Sequence, residues 1–276
     1  MGTIERLLEV DSSPSAFVES LQEYALTSHA ANHPLLERIA VGDLPDIKAN
    51  ITFLLSEYYH YSHQFTRYLT AVMANLEAPK SRSALVQNAA DESGYLQPSE
   101  AAELVKNGID PEHAKAPHPE LFRRFLRAIG AKPEEILKRK PFVATFAWVD
   151  AFRGLCMHGG EVQGVGALGI ATEGIVAVMY RRILRGIAIA WPDMAPRDRV
   201  FFDLHAVVDD EHAHTLRDIA ISLADTPETK RELAVGVYRA LVIRSAFFDE
   251  MMAEIDASAA ITPRPAINVA AQGALA

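Results

Sequence analysis

Cysteine is nearly missing from this chain: Cys156 is the only one among 276 residues. A lone cysteine cannot close an internal disulfide, and a zinc site built from several thiolates is excluded. Strand-like alternation of apolar and polar residues is missing over any useful length. Concentrated positive charge is missing too. The 27 basic residues face 36 acidic ones, for a formal net charge of -9, and the isoelectric point is near 5.6. Phosphate backbones and anionic membrane surfaces are bound by clustered Lys and Arg, so neither a nucleic-acid nor a membrane partner is expected. Met1 to Val10 carries charges and no apolar run, so no secretory signal is expected and the chain reads as cytoplasmic. The most apolar stretch, Gly164 to Trp191, is interrupted by Glu173, Arg181, Arg182 and Arg185, which argues against a transmembrane helix.

What is present is helical periodicity, with 49% hydrophobic and 23% charged residues, enough apolar material for a sizeable core. Ser13-Pro14 caps and opens a helix to about Ala30. A short helix follows over His33 to Val41. A long one is predicted from Pro45 to about Leu76, with Phe53, Leu54, Tyr58, Tyr61, Phe65 and Tyr68 on one buried face. The next starts at Ser81 or Ser83 and ends near Ser93-Gly94. Residues 95–117 hold Pro98, Gly108, Pro111 and Pro117 and read as an insertion or lid-like excursion, with a short helix over Ser99 to Lys106. Helices resume at His118 to Ile129, after Pro133, and from Pro141 to Met157. A long apolar helix runs from about Glu161 to Trp191, another spans Arg197 to Leu223, and Pro227 opens the last, ending near Ala257. The expectation is an all-α single-domain bundle over residues 1–258, with 259–276 as a disordered tail.

The sharpest chemical signal is the run from Phe201 to His214. His205, Asp209 and His212 stand at i, i+4 and i+7, so two imidazoles and a carboxylate share one helix face about two turns long. Leu204, Val208 and Ala213 flank that face, and polar groups in an apolar stripe need partners. Ferrous iron accepts this mixture of nitrogen and hard oxygen donors and keeps open positions for oxygen. Glu173 is the second signal. Its neighbours from Ala167 to Val176 are almost wholly apolar, so its carboxylate must be paired, protonated or metal-bound. Gly169 and Gly174 would let a neighbouring helix come close. Glu92, at the end of its helix, and His118, at the start of the next, complete three carboxylates and three histidines, enough to clamp two metals.

This arrangement resembles the haem-oxygenase-like diiron oxidases, relatives of thiaminase II and of the pyrroloquinoline-quinone-forming oxidase. The resemblance rests on the His-x3-Asp-x2-His helix, on Glu173 in a Leu-Gly-x3-Glu setting, and on Glu92 followed by His118-Pro119-Glu120-Leu121. It also rests on the opening His33-Pro34-Leu35-Leu36 with Phe53 to Tyr59, and it covers roughly residues 20–255. It implies a haem-oxygenase-like helical bundle. Glu92 and His118 would hold one iron, His205 and His212 would sit with Asp209 nearer the other, and Glu173 would bridge or complete the pair. The sequence departs from the family in the excursion between Glu92 and His118, which leaves His113 as the alternative to His118. The implied activity is dioxygen activation by two irons to oxidise a small amine, amino acid or carboxylate by N-oxygenation, desaturation or carbon–carbon cleavage. Manganese or a mixed pair fits the same donors. A homodimer and an external electron donor are compatible with the resemblance.

Metal-free acid–base chemistry on the same fold, with Cys156 as the sole thiol nucleophile, and a non-enzymatic metal or ligand carrier are the rival readings. Tyr58, Tyr59, His63 and Arg153 are the candidate substrate contacts. Arg153, in the apolar helix from Phe142 to Met157, must be paired if buried, either by an acidic side chain or by a substrate carboxylate.

Overall fold

In a computed structural model of the chain, Ser13 Oγ accepts the Ala16 amide at 3.3 Å and Pro14 sits in the first turn, so α1 (Pro14–Leu26) starts where its capping residues predict. The structure describes Glu5, Leu8, residues 12–207 and residues 210–261. Every regular element among the described residues is helical. They are α2 (Pro34–Val41), α3 (Ile47–Ser62), α4 (Phe65–Asn75), α5 (Pro79–Glu92), α6 (Pro98–Lys106), a 3-10 turn (Pro111–His113), α7 (His118–Ala128) and α8 (Pro133–Ile136). After these come α9 (Val143–His158), α10 (Gly160–Val165), a π-helix (Gly166–Glu173), α11 (Gly174–Ala190), α12 (Pro196–Val207), α13 (Asp210–Leu223) and α14 (Pro227–Ile261). The all-α expectation holds.

Two long helices predicted from periodicity differ in detail. The stretch from Pro45 to Leu76 is divided into α3 and α4 at His63-Gln64. The Gln64 side-chain amide donates to the His60 carbonyl at 3.1 Å, the acceptor its own backbone amide would use in a continuous helix, and that amide turns to Tyr61 instead. The apolar stretch from Glu161 to Trp191 carries the π-helix in its middle. There Thr172 Oγ1 donates to the Ala167 carbonyl, five residues back, at 3.0 Å. π-Turns of this kind recur at functional sites because they re-aim side chains. α14 packs along the π-helix. The approach is so close at Gly166 that a Cβ there would lie 2.5 Å from the Leu233 carbonyl oxygen.

The stretch Gly160–Ala190 is long and apolar enough to cross a membrane, but 78% of its most apolar window is buried inside the bundle. Its apolar surface is consumed by neighbouring helices: α11 packs on α2 and α12, and the π-helix on α13 and α14. It is the central helix of the core. Glu57 and Glu250 hold the start of α9, accepting the amides of Phe142 at 3.1 Å and Ala144 at 2.7 Å. The expected helix from Arg197 to Leu223 is helical over α12 and α13, with residues 208–209, and therefore Asp209, outside the described residues. The last helix runs to Ile261, three residues into the expected tail; residues 262–276 lie outside the described residues.

The excursion over 95–117 leaves and re-enters the bundle at one point. Gly94 has φ +93, and a Cβ on it would lie 2.6 Å from the Ala116 carbonyl carbon and 2.8 Å from the Pro117 nitrogen. Only glycine allows both the positive φ and this backbone contact. Between the two ends, Glu100 Oε2 accepts the Gln97 amide at 2.7 Å and starts α6, which lies against α12.

Candidate metal centre

The pinch at Gly94 sets the site. It brings the last residue of α5, Glu92, to the first residue of α7, His118, with His118 Nδ1 3.0 Å from Glu92 Oε1. The 95–117 excursion therefore does not separate them, and His113 is not needed in place of His118; it faces Asp110 at 3.9 Å instead. Glu173 arrives from the end of the π-helix, His205 from α12 and His212 from α13. All five side chains are buried, with at most 7% exposure.

Their donor atoms form two overlapping groups, each within 4.8 Å: Glu92 with His118 and His205, and Glu92 with Glu173 and His212. Glu92 is common to both. The resemblance implied a different division, with His205 and His212 together and Glu173 shared. Although His205 and His212 are two turns apart in sequence, each faces a different partner across the bundle. Asp209 lies outside the described residues.

The donor set fits a cation. His118 Nδ1 and Glu92 Oε1 stand 3.0 Å apart, yet His118 Nδ1 has no hydrogen-bond partner of acceptable geometry. This close but poorly aligned approach of two buried donor atoms is one that a metal ion held between them would accommodate. His205 Nδ1 donates to the Phe201 carbonyl at 2.6 Å, which leaves its Nε2 lone pair free. A third cluster, His29, His33 and Asp249, behaves differently. His33 Nδ1 accepts the Leu35 amide at 3.1 Å, so its Nε2 must carry the proton shared with Asp249, also at 3.1 Å. That cluster is a hydrogen-bonded helix cap with no free lone pair on His33.

Charge at the centre is divided unevenly. Burial opposes ionisation of Glu92, but the imidazoles of His118, His205 and His212 outweigh it and bring its pKa down to about 2. Burial lifts Glu173 to about 7, with His212 pulling it down and Glu92 pushing it up. Burial and the neighbouring His118 lower His205 to about 3. Near neutrality the site presents one ionised carboxylate, one carboxyl poised to lose its proton, and a neutral imidazole, all usable as ligands for a hard or borderline metal.

Asp91 and Glu100 complete the surroundings and were not anticipated. Asp91 Oδ2 lies 3.1 Å from His212 Nε2, and Asp91 Oδ1 accepts from Gln87 Nε2 at 2.6 Å. Asp91, Glu100 and His212 form a further group within 4.8 Å. The Asp91-Glu92 pair was visible in sequence, but nothing there says that both acids turn inward. Glu100 carries only the signature of a capping box.

A cavity of about 30 Å³ adjoins Glu92, His118, Glu173 and His205, and its opposite wall includes Tyr58, Tyr61, Thr172 and Tyr180. Tyr180 donates to the Tyr58 hydroxyl at 3.2 Å. Of the four expected substrate contacts only Tyr58 lines it. Tyr59 packs edge-on against Phe122, and burial pushes its phenol up to about 12. His63 Nδ1 donates to the Tyr59 carbonyl at 2.7 Å beside the α3–α4 turn. Arg153 projects outward from α9, half exposed, and pairs with Asp150 at 2.6 Å. The core face of that helix is taken by Trp148, Phe152 and Leu155. Among the described residues the buried arginine is Arg244, 1% exposed.

A family described as "Iron-containing redox enzyme" matches residues 52–245. A 4-aminobenzoate synthase of Nitrosomonas europaea is 26% identical over 226 residues, covering 82% of this chain and 87% of that protein. A 4-aminobenzoate synthase of Chlamydia trachomatis is 25% identical, covering 71% and 76% respectively. Among solved structures, a domain of unknown function with a heme oxygenase-like fold from Shewanella denitrificans superposes with a TM-score of 0.63 at 20% identity, over 90% of this chain and 95% of that one. A CADD-like protein of unknown function from Nostoc punctiforme gives 0.66 at 17% identity, over 86% and 96%. The fold is haem-oxygenase-like.

Proposed function

Because the chain belongs to the family of iron-containing redox enzymes, and is an iron-dependent oxidoreductase, we propose that its buried cluster holds two irons that activate dioxygen to oxidise a small organic substrate. The observation that carries this reading is Glu92, common to two donor groups in a site where His118 Nδ1 has no hydrogen-bond partner. In this reading Glu92 is shared, His118 and His205 serve one ion, and Glu173 and His212 serve the other. Asp209, one turn beyond His205 in sequence, is proposed as a further ligand. Ferrous iron held by these residues would supply the electrons that reduce dioxygen and the oxidising power turned on the substrate.

The chain's own residues do the rest. The Phe201 carbonyl fixes the tautomer of His205, and Asp91 orients His212 from behind. Glu173 gives up its proton as a metal arrives, so loading is coupled to proton release. The aromatic wall keeps bulk water from the cavity, and the hydroxyls of Tyr58 and Tyr180 offer hydrogen bonds to a bound substrate. The substrate is a small amine, amino acid or carboxylate. Similarity to 4-aminobenzoate synthases makes formation of 4-aminobenzoate the first reaction to assay. An external donor enters where the reaction consumes more electrons than the substrate provides.

Anaerobic titration with ferrous iron tests the reading. About two irons per chain are expected, as a two-metal site requires, followed by a transient visible absorption when oxygen is admitted. Glu92→Gln should lose both irons, because both groups share that carboxylate, whereas His118→Ala should lose one. Wild-type protein that takes up no iron specifically, or Glu92→Gln that keeps both, overturns it.

A further inference from the structure

Arg244 is the most expensive group in the bundle that the metal centre does not explain. It is 1% exposed, on α14, behind the cavity wall. One terminal nitrogen donates to Thr172 Oγ1 at 2.9 Å and to the Tyr61 hydroxyl at 3.3 Å, and the other reaches Met179 Sδ at 3.7 Å. Its Nε has no partner. The guanidinium also lies over the faces of Tyr61 and Trp148, 5.6 and 5.3 Å from the ring centroids, and those two rings stack at 4.0 Å. All of these partners are neutral. Among the described residues this buried cation is held only by hydroxyls, a thioether and aromatic faces, without the counter-charge that normally accompanies one. Glu173 feels its field but makes no ion pair with it.

The two hydroxyls that Arg244 grips are themselves cavity wall. Thr172 spends its proton on the Ala167 carbonyl. Tyr61 accepts from the guanidinium, which makes its own O–H a stronger donor. The positive charge is thereby transmitted to the cavity at Tyr61. The space there, about 30 Å³, suits two water-sized atoms, the size of a carboxylate head group.

We propose that the substrate of this site carries a carboxylate, recognised by the Tyr61 hydroxyl with Arg244 behind it as positioning residue and counter-charge. The Tyr61 phenol donates to one carboxylate oxygen, while the remainder of the substrate extends toward the ligand cluster. This names the substrate class of the reaction proposed above and rests on that cavity being the reaction site. It also moves the carboxylate recognition that the sequence suggested for Arg153 to the Tyr61 hydroxyl, with Arg244 as its counter-charge.

The test compares acetate with acetamide, and benzoate with benzamide, by calorimetric or NMR titration of the full chain loaded anaerobically with ferrous iron. Each carboxylate should bind at least tenfold tighter than its neutral amide. Tyr61→Phe keeps the stacked ring and removes only the hydroxyl. It should cut that preference about tenfold, weaken amide binding far less than carboxylate binding and leave iron stoichiometry unchanged. Arg244→Met should remove the preference, and Arg244→Lys should restore part of it, which a merely structural arginine would not do. Should Arg244→Met fail to fold, Tyr61→Phe still decides. No carboxylate preference in the wild type, or a preference that survives Tyr61→Phe at full strength because iron alone holds the anion, overturns the proposal. Wild-type protein that takes up no iron sinks the oxidase reading instead, and the same comparison on the metal-free chain then decides the carboxylate reading on its own.

Discussion

Replacing Gly94 by alanine should damage the metal centre without touching a ligand. Two costs add. A side chain at φ +93 is strained, by about 1–2 kcal/mol on the scale of left-handed backbone. The added Cβ also lies 2.6 Å from the Ala116 carbonyl carbon and 2.8 Å from the Pro117 nitrogen, backbone atoms that cannot swing aside, and overpacking of this kind costs about 1–3 kcal/mol. Together these predict a loss of about 2–5 kcal/mol, or roughly 3–9 °C in Tm for a chain of this size. Relieving the overlap moves the two strands of the pinch apart by about 1 Å, beyond the ~0.5 Å tolerance of a preorganised site. Glu92 and His118 sit on opposite sides of that pinch, so ferrous iron should bind at least tenfold more weakly. Gly108→Ala is the internal control: its φ is +74, but no atom lies within 4 Å of the new Cβ. It should show only the strain, about 1–2 kcal/mol, with normal iron uptake. Differential scanning calorimetry and anaerobic iron titration of both variants decide the matter. A Gly94→Ala protein that melts no earlier than Gly108→Ala and binds iron as tightly as wild type would refute the claim that this pinch assembles the site.

Three further outcomes are expected. The pKa of Glu173, about 7 against an ordinary 4.5, means that the folded metal-free chain holds this proton more tightly than the unfolded one. Its contribution is complete below pH 4.5 and disappears as pH rises through 7, a span worth on the order of 3 kcal/mol. His205, lowered to about 3, works in the opposite sense between pH 3 and 6.5, so the measurement is the difference between wild type and Glu173→Gln. The variant should match wild type at pH 4 and be more stable at pH 8 in the metal-free state, with denaturant melts as the readout; equal stability at both values would contradict the assignment. Asp91→Asn should keep two irons per chain but weaken affinity about 10–100-fold, the usual effect of losing an outer carboxylate on a ligating histidine; unchanged affinity in a competition assay with a chelator would count against that role. Arg153→Ala should alter stability by no more than about 0.5 kcal/mol and leave turnover of any identified substrate unchanged, because its only ion pair is the exposed one with Asp150.

The sequence alone carried the all-helical class, most helix starts and five of the residues that meet at the centre. The helix starts and three of those residues were legible because each breaks a local rule, whereas Glu92 and His118 were read through the family resemblance. Ser13-Pro14 and Pro227 announce helix starts. Glu173 is an acid among apolar neighbours, and His205 and His212 are polar groups on a face that should be buried. Where a residue obeys its local rule, periodicity is silent. Asp91 and Glu100 look like acids at a helix end and in a capping box, and Arg244 looks like one charge among many on a long helix. The breaks inside predicted helices were hidden for a similar reason. Gln64 ends α3 with a side-chain hydrogen bond, and the π-helix depends on Thr172 reaching five residues back; neither changes the apolar pattern.

What the amino-acid order determined by itself is therefore which side chains cannot remain alone in a core, namely Glu173, His205 and His212, while Glu92 and His118 were legible only through the family resemblance. What only the tertiary structure decided is how they divide. Glu92 became the common member because Gly94 lets two backbones touch. His205 and His212 face different partners because α12 and α13 meet different neighbours, α7 for one and α5 for the other. Burial against solvation is a property each residue carries locally, so sequence can reveal it. Which donors converge depends on packing between helices far apart in the chain, and that is set only when the bundle closes.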